Sequence, residues 1–228
     1  MTLALGGSPT VLAGPSAGCR LVALRPRLSA GLPLSPLRQS SPSRFPAPGY
    51  NPAGGRDTAA RWLVIADTHW PRHGPALPGW LLAAAAQADT ILHAGDLTDP
   101  ALLQVLSDLA PTWAVAGNGD PGGDPRLPDR RILTLDGLRI GLTHGHLGAP
   151  GAPTPRRAAA AFRDDGVGLV VFGHSHQPLF MRAGDLWLLN PGSPTERRRA
   201  PRRSAAWLAV AGGEPLVNWL GEPAAPGT

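Results

Sequence analysis

The chain has 228 residues and a formal net charge of +5, and its length suits one domain with an appendage. Hydrophobic residues make up 43% of it, no run approaches the roughly 18 apolar residues of a membrane-spanning helix, and the single cysteine, Cys19, excludes an intramolecular disulfide. We therefore expect a globular protein of a reducing compartment, the cytoplasm, without a membrane partner.

The positive charge is confined to the beginning of the chain. Residues 1–60 hold six arginines and one acidic residue, whereas residues 61–228 hold fifteen of each. Because the predicted domain is neutral, the high isoelectric point does not indicate a nucleic-acid-binding surface. We expect a small phosphate-bearing substrate rather than nucleic acid as the partner, and leave a homo-oligomer open.

Residues 1–58 are rich in Pro, Ser, Gly and Arg and show neither a helix nor a strand period. Such a segment buries too little apolar surface to offset its ordering entropy. We interpret it as a disordered, low-complexity extension before a domain at 59–222, with a tail at 223–228. A secretory signal fits poorly, because Pro9 and Pro15 interrupt the apolar stretch. An anion-binding tail and a start codon assigned too early remain alternatives.

The first half of the domain alternates short apolar runs with helical patterns. Strands are predicted at 62–66, 90–94 and 112–116, and helices at 81–88 and 101–109. This alternation predicts a βαβ unit with a largely parallel, buried sheet. Polar residues follow each strand, and open α/β sheets bind ligands at the carboxyl ends of their strands.

The second half begins with a predicted hairpin and is richer in strands. The hairpin pairs 131–136 with 138–143, and a helix at 154–165 follows. Further strands are predicted at 169–172, 179–182, 186–189, 205–210 and 216–220. We expect these to form mainly antiparallel edge strands.

Seven polar residues with metal-binding side chains follow these strands. They are two carboxylates, one amide and four imidazoles: Asp67, His69, Asp96, Asn118, His144, His174 and His176. Mixed oxygen and imidazole ligands suit Mn, Fe, Zn, Ni or Co better than Mg or Ca. Seven ligands exceed the needs of one ion but suit two ions that share a carboxylate.

The segments that carry these residues resemble the five ordered motifs of the calcineurin-like metallophosphoesterases. The segments are Asp67-Thr68-His69, Gly95-Asp96, Gly117-Asn118-Gly119-Asp120, Thr143-His144-Gly145-His146 and Gly173-His174-Ser175-His176. The short loops are similar to those of the compact bacterial and archaeal phosphodiesterase branch, as is a later Asn190-Pro191-Gly192-Ser193. The resemblance covers about residues 61–221.

The resemblance implies a four-layer α/β/β/α sandwich with two mixed β-sheets and two divalent transition-metal ions, Mn being favoured. One ion would be held by Asp67, His69, Asp96 and His176, and the other by Asp96, Asn118, His144 and His174. Asp96 would thus bridge the ions, and a hydroxide between them would attack phosphorus in line. Within this set Asp96, Asn118 and His144 are the predicted catalytic residues, while His146 and Asp120 are expected to support ligands or contact substrate.

One position departs from the family pattern. Many members have a histidine after the asparagine that protonates the leaving group, and here that position is Gly119. General acid catalysis is worth about 10²–10⁴-fold, and its loss affects poor leaving groups most. We therefore expect phosphodiesters to be favoured over alkyl phosphomonoesters. The alternatives are a phosphomonoesterase, including a protein or nucleotide phosphatase, a nuclease, and a non-catalytic scaffold.

Three further residues have plainer expected roles. Asp99 is expected to cap the helix at 101–109, since Pro100 suits a first helical position. His93 lies inside a predicted strand and is expected in the core. His73 follows the first motif in a loop and is expected to be solvated.

Overall fold

The computed structural model describes residues 60–222, so the predictions for 1–58 and 223–228 concern residues outside it. The ten strands are β1 (Trp62–Ile65), β2 (Thr90–His93), β3 (Thr112–Ala114), β4 (Arg130–Leu135), β5 (Leu138–Thr143), β6 (Leu169–Val171), β7 (Leu179–Ala183), β8 (Leu186–Asn190), β9 (Ser204–Ala211) and β10 (Glu214–Gly221). The three helices are α1 (Gly79–Ala85), α2 (Leu102–Ser107) and α3 (Thr154–Ala160). Over the described range, no helix has the length and apolarity needed to cross a membrane.

The first sheet has the strand order β10-β9-β1-β2-β3. Strands β1, β2 and β3 pair in parallel, as their alternation with helices predicted. The long strand β9 returns to pair antiparallel with β1, and β10 then pairs antiparallel with β9. Strand β1 is therefore central, and all four of its residues are buried.

The second sheet has the order β4-β5-β6-β8-β7. The predicted antiparallel pairing is confirmed at its edges, where β4 pairs with β5 and β7 with β8. It is wrong for the centre, because β5, β6 and β8 run in parallel. Strand β7 lies at the edge and the β7–β8 hairpin folds back, so β8 lies beside β6 with the same direction. Both sheets are therefore mixed.

The two sheets pack face to face, and helices cover their outer faces. Val64 and Leu92 of the first sheet share an inner core with Val171 of the second. The neighbours of Val64, Leu63 and Ile65, point the other way and pack beneath α1 and α2. This alternation follows from the two-residue period of a strand. The helices and sheets thus form the predicted four-layer α/β/β/α sandwich.

Of the described helices, α3 alone covers the second sheet. Ala158 and Phe162 pack on Val170 and Phe172. The helix ends at Ala160, earlier than the predicted 154–165, and the chain then turns to Gly166, whose φ is +62°. Asp165 in this turn pairs with Arg130 at 2.9 Å. The last residue of the predicted helix, Asp165, thus belongs to a turn and bonds to β4.

Candidate metal centre

The ends of β1, β2, β5 and β6 meet at one edge of the sandwich. The backbone N–H of Asp67 donates to Gly95 O at 2.9 Å, which joins the loops after β1 and β2. Two of the hydrogen bonds between the sheets lie at this edge and involve predicted ligands. His174 N–H donates to Asp67 Oδ1 at 3.1 Å, and His144 bonds to Ala94 O through Nδ1 at 2.7 Å. Side chains distant in sequence thus gather in one place.

The backbone at this edge is strained. Five of the predicted ligands have left-handed backbone angles, with φ of 53° at Asp67, 43° at His69, 58° at Asp96, 68° at His174 and 56° at His176. This conformation costs a non-glycine residue roughly 1–2 kcal/mol. Strained residues that cluster in one site are held there by surrounding structure, and such clusters are typical of functional sites.

Asp67, His69 and His176 form one compact group of side chains, all buried. The Nε2 atoms of His69 and His176 are 3.3 Å apart, and Asp67 Oδ1 is 3.4 Å from His176 Nε2. Two ligand nitrogens at tetrahedral positions, each 2.0–2.1 Å from one ion, would be separated by about 3.4 Å. The spacing therefore suits ligation of a single cation.

A second compact group contains Asp67, Asp96 and His144. Asp96 Oδ1 is 3.3 Å from His144 Nε2, and Asp96 Oδ2 is 3.6 Å from His69 Nε2. The Asp96 carboxylate therefore lies between the two groups with one oxygen toward each. Asp67 also belongs to both groups, although the resemblance assigned it to one ion only.

Two of the imidazoles are oriented by backbone carbonyls. His144 Nδ1 is 2.7 Å from Ala94 O, and His176 Nδ1 is 2.7 Å from Glu196 O. Since a carbonyl oxygen only accepts, both Nδ1 atoms carry a proton, and each ring in its neutral form presents the Nε2 lone pair to the site. This is the usual way in which a protein aims a histidine at a metal ion.

Two buried atoms of the site test whether a cation fits it. Asp67 Oδ2 and His144 Nε2 are buried without any hydrogen-bond partner among residues 60–222. A buried polar group without a partner costs about 1–3 kcal/mol, and more if it is charged. A divalent ion would satisfy both atoms, and the mixed carboxylate and imidazole donors suit a transition metal. The residues present therefore fit the metal ions that the resemblance implies.

The carboxylates have opposite pKa shifts. Burial raises the pKa of Asp67 to about 7, against the opposing charge of His144. Burial also acts to raise the pKa of Asp96, but its contacts with His144 and with Gly119 N–H outweigh burial and lower the pKa well below its usual range. Burial acts to lower the pKa of His144, yet the two carboxylates reverse this and raise it. The pocket therefore attracts positive charge.

The remaining imidazoles favour the neutral state that a metal ligand requires. Burial lowers the pKa of His69, and it lowers the pKa values of His174 and His176 to about 4. These rings are therefore unprotonated at neutral pH. Metal binding at His174 and His176 would displace no proton from them.

Two of the seven predicted ligands lie beside the compact groups rather than in them. The His174 ring is half-buried, and its centroid is 5.1 Å from that of His144 in an edge-to-face arrangement. Asn118 has an exposed side chain, and its backbone is held next to Asp96 because Gly119 N–H donates to Asp96 Oδ1 at 2.7 Å. All seven predicted ligands thus lie at one edge, with five of them closely packed.

The glycines that flank Asn118 allow the backbone to approach Asp96 closely. A Cβ atom at Gly117 would lie 2.1 Å from Asp96 Oδ1, and one at Gly119 would lie 3.1 Å from the same oxygen. Position 117 therefore excludes a side chain, and position 119 accepts one only after a small shift. The position that lacks a proton donor, Gly119, is therefore also one that packs tightly against the Asp96 carboxylate.

The two residues predicted to support the site differ in their contacts. Asp120 accepts three backbone hydrogen bonds, from Asp96 N at 2.9 Å, Gly117 N at 2.7 Å and Thr98 N at 2.7 Å. It therefore holds the loops after β2 and β3 together. His146 is half-buried, with its ring 5.3 Å from that of His144 and with Nδ1 unpartnered among the described residues.

The end of β8 and the segment after it support the centre through hydrogen bonds, and only part of this role was predicted. Ser193 Oγ donates to Asp67 O at 2.7 Å, and Asn190 Nδ2 donates to Gly173 O at 2.7 Å. Glu196, which we did not single out, has its carboxylate 4.0 Å from His69 Nε2 and 3.7 Å from His73 Nε2. Its position three residues after the Asn-Pro-Gly-Ser segment was the available signal.

His93 has the expected position, whereas Asp99 lies two residues before Ala101, the N-cap of α2, and is not itself the cap. His93 is fully buried in β2, where its Nε2 lies 2.9 Å from Thr68 Oγ1, and burial lowers its pKa to about 3. It therefore supports the loop that carries Asp67 and His69. Asp99 Oδ1 accepts from Ala101 N at 2.8 Å at the start of α2.

Comparisons with known proteins cover most of the described residues. The model of the calcineurin-like phosphoesterase superfamily domain matches residues 61–213. A probable metallophosphoesterase of Methanothermobacter thermautotrophicus is 38% identical over 135 residues, 59% of this chain and 77% of that protein. One of Methanocaldococcus jannaschii is 36% identical over 147 residues, 64% of this chain and 74% of that protein. The crystal structure of Entamoeba histolytica Vps29 with Zn²⁺ superposes with a TM-score of 0.56 at 25% identity, covering 71% of this chain and 98% of that one.

Proposed function

This chain belongs to the calcineurin-like phosphoesterase superfamily, and on that premise we propose that it hydrolyses phosphate esters, diesters in preference, with two divalent ions. Membership makes it a metal-dependent phosphoesterase, a hydrolase. The number of ions, their identity and the diester preference are what we add.

One observation supports a centre with two ions rather than one. The Asp96 carboxylate lies between two buried groups, with Oδ2 3.6 Å from His69 Nε2 and Oδ1 3.3 Å from His144 Nε2. A carboxylate in this position can bind two cations at once. When bound, a pair of such ions lowers the pKa of water and offsets charge on the attacking and leaving oxygens of a phosphoryl transfer.

The chain's own residues hold and orient this site. His144 and His176 are fixed with Nε2 lone pairs toward it by their backbone acceptors. Asp120 holds the backbone of Asp96, and Ser193 holds that of Asp67. We assign His69, His174 and Asn118 to the ligand set as well, because each lies at the same edge.

The diester preference rests on the absence of a proton donor at Gly119. A leaving group at that side must depart as an anion or take its proton elsewhere, and His146, whose ring centroid is 5.3 Å from that of His144, is an imidazole outside the ligand set that could supply it. Esters of alcohols with low pKa values tolerate the loss of the proton donor, because their leaving groups are stable anions. Esters of alkyl alcohols do not, because an alkoxide is a poor leaving group. We therefore favour phosphodiesters, and monoesters with good leaving groups, over alkyl monoesters.

We propose manganese as the metal, with Fe, Zn, Ni and Co as alternatives, since mixed carboxylate and imidazole donors suit all five. We keep a small phosphate ester as the substrate class and the cytoplasm as the location. A scaffold without activity is disfavoured because every ligand position of the family motifs is filled. A nuclease is disfavoured because residues 61–228 have no excess of positive charge.

Substrate preference is tested by comparing an aryl phosphodiester with an alkyl phosphomonoester on the purified protein. We expect manganese-dependent turnover with the diester to exceed turnover with the alkyl monoester by at least about tenfold, within the range that general acid catalysis spans. The metal-free protein is the control and should be inactive on both. A clear preference for the alkyl monoester would defeat the diester assignment.

A further inference from the structure

Arg157 of α3 extends over the loop that carries His144 and His146. Its Nε donates to Gly145 O at 2.9 Å, the carbonyl between these two histidines. Its Nη2 donates to Thr154 Oγ1 at 3.3 Å, and its stem packs on Gly148, where an added Cβ would lie 3.5 Å from Arg157 Cβ. The guanidinium is therefore held in place at the His144–His174 end of the metal centre.

The guanidinium has unused hydrogen-bonding capacity and no counter-ion. Of its five N–H groups, only those on Nε and Nη2 have acceptors within residues 60–222, and no carboxylate of that range lies within ion-pair distance. Arg130, by contrast, is paired with Asp165 at the surface. An anion bound at the free N–H groups would pair with this guanidinium through charge-assisted hydrogen bonds.

The two ends of the centre differ in charge. At the His69–His176 end, the Glu196 carboxylate lies 3.7 Å from Arg198 Nε, so positive and negative charge are balanced there. At the other end, no carboxylate of residues 60–222 lies within ion-pair distance of Arg157, whose Nε donates to the carbonyl between His144 and His146. An anionic group is therefore better accommodated at the Arg157 end.

We propose that Arg157 binds a non-bridging oxygen of the substrate's phosphate group at the His144–His174 end of the centre. A guanidinium presents its N–H groups in a planar fork that matches phosphate oxygens. Arg157 would thereby select esters whose phosphorus carries a negative oxygen. This role rests on the proposed phosphoesterase function, since it needs a phosphate group at the metal ions.

The competing role for Arg157 is purely structural, because its bond to Gly145 O braces the loop that bears His144. The two roles differ in what they affect. A brace would be needed for metal binding and stability, whereas a phosphate-binding group would be needed for phosphate affinity with metal content unchanged.

The test measures the affinity of inorganic phosphate for the manganese-loaded full chain by titration calorimetry. Arg157→Gln is compared with Arg156→Gln, which removes the same charge from an exposed neighbour on the same helix. We expect Arg157→Gln to weaken phosphate binding at least about tenfold, or about 1.4 kcal/mol, with manganese content unchanged, and Arg156→Gln to alter it less than about twofold. Equal affinities in the two variants would overturn the proposal.

A second measurement needs no variant, and it decides the question if Arg157→Gln loses manganese. Phenylglyoxal labels arginine side chains, and peptide mass spectrometry locates the label. We expect inorganic phosphate to slow labelling of Arg157 but not of Arg156 in the manganese-loaded protein. If Arg157 were labelled at the same rate with and without phosphate, its role would be structural only and the proposal would be wrong.

Failure of this inference can be told apart from failure of the proposed function. Phosphate affinity and labelling do not depend on turnover. A protein that hydrolyses diesters but binds phosphate independently of Arg157 keeps the proposed function and loses this inference. A protein that binds phosphate through Arg157 but hydrolyses no ester keeps this inference and loses the proposed function.

Discussion

The position of the Asp96 carboxylate gives the sharpest expectation for a single residue. Asp96→Asn removes the negative charge that both buried groups share. We expect it to reduce manganese content at both sites and to lower diester turnover by more than the roughly 10–100-fold typical of groups that only orient ligands. Elemental analysis and initial rates on the same preparation measure the two effects.

Asp99→Asn is the matched control for that change. Asp99 lies three residues away and bonds to Ala101 N at the start of α2, outside the site. The Asp99→Asn variant should retain full manganese content and turnover. Normal metal content in Asp96→Asn would show that Asp96 does not join the two groups.

Asp67 should make the stability of the metal-free protein depend on pH. Burial raises its folded-state pKa from 3.8 to about 7, so folding favours the protonated acid. That stabilisation is fully present below pH 3.8 and is lost as pH rises through 7. Because one pH unit corresponds to 1.36 kcal/mol, the loss is on the order of 4 kcal/mol.

Asp67→Asn should therefore become more stable than the metal-free wild type as pH rises. Urea unfolding at pH 5 and pH 8 measures this, and we expect the advantage of the variant to be larger at pH 8. With manganese bound, the wild type should be more stable than Asp67→Asn, since the cation then pairs with the Asp67 carboxylate. A stability difference that is the same at both pH values would contradict the buried, unpartnered state of Asp67.

At the scale of elements, the loops after β2 and β3 are joined by Asp120. Asp120→Ala would leave three backbone N–H groups without their acceptor. We expect a loss of about 1–3 kcal/mol in unfolding free energy and a 10–100-fold loss in manganese affinity, because Asp96 would no longer be held. Denaturant unfolding and metal titration measure these effects.

Asp108→Ala provides the control at this scale. Asp108 is exposed at the end of α2, and its side chain accepts from Gln104 Nε2 alone within residues 60–222. Its removal should leave manganese affinity unchanged. If Asp120→Ala kept wild-type affinity as well, the hydrogen bonds of Asp120 would be turn contacts without a role in the centre.

Elements with a simple hydrophobic pattern were predictable from the sequence. The apolar runs before Asp67, Asp96 and His144 correspond to β1, β2 and β5, because each run is short and ends at a turn. The pairing of β9 beside β1 was not predictable, since no local pattern records which strand a distant strand will join. Glu196 escaped notice for a similar reason: its carboxylate reaches His69 only through the path of the loop after β8.

At the scale of the whole molecule, residues 60–222 contain three buried clusters that account for both sheets and all described helices. A truncated chain that begins at Ala59 should therefore keep its turnover, with its thermal midpoint unchanged within about 2 °C, which is less than a 1 kcal/mol loss would produce in a chain of this size. Removal of residues 1–64 deletes most of β1 and should abolish folding. A large loss on removing residues 1–58 would show that they contribute to the fold.

The number of metal ions needed for turnover tests the central claim most directly. Metal-free protein is titrated with manganese while hydrolysis of an aryl phosphodiester is followed. We expect activity to rise until two equivalents per chain are bound and then to remain constant. Full activity at one equivalent, or no hydrolysis at any manganese concentration, would contradict a centre in which Asp96 joins two ions.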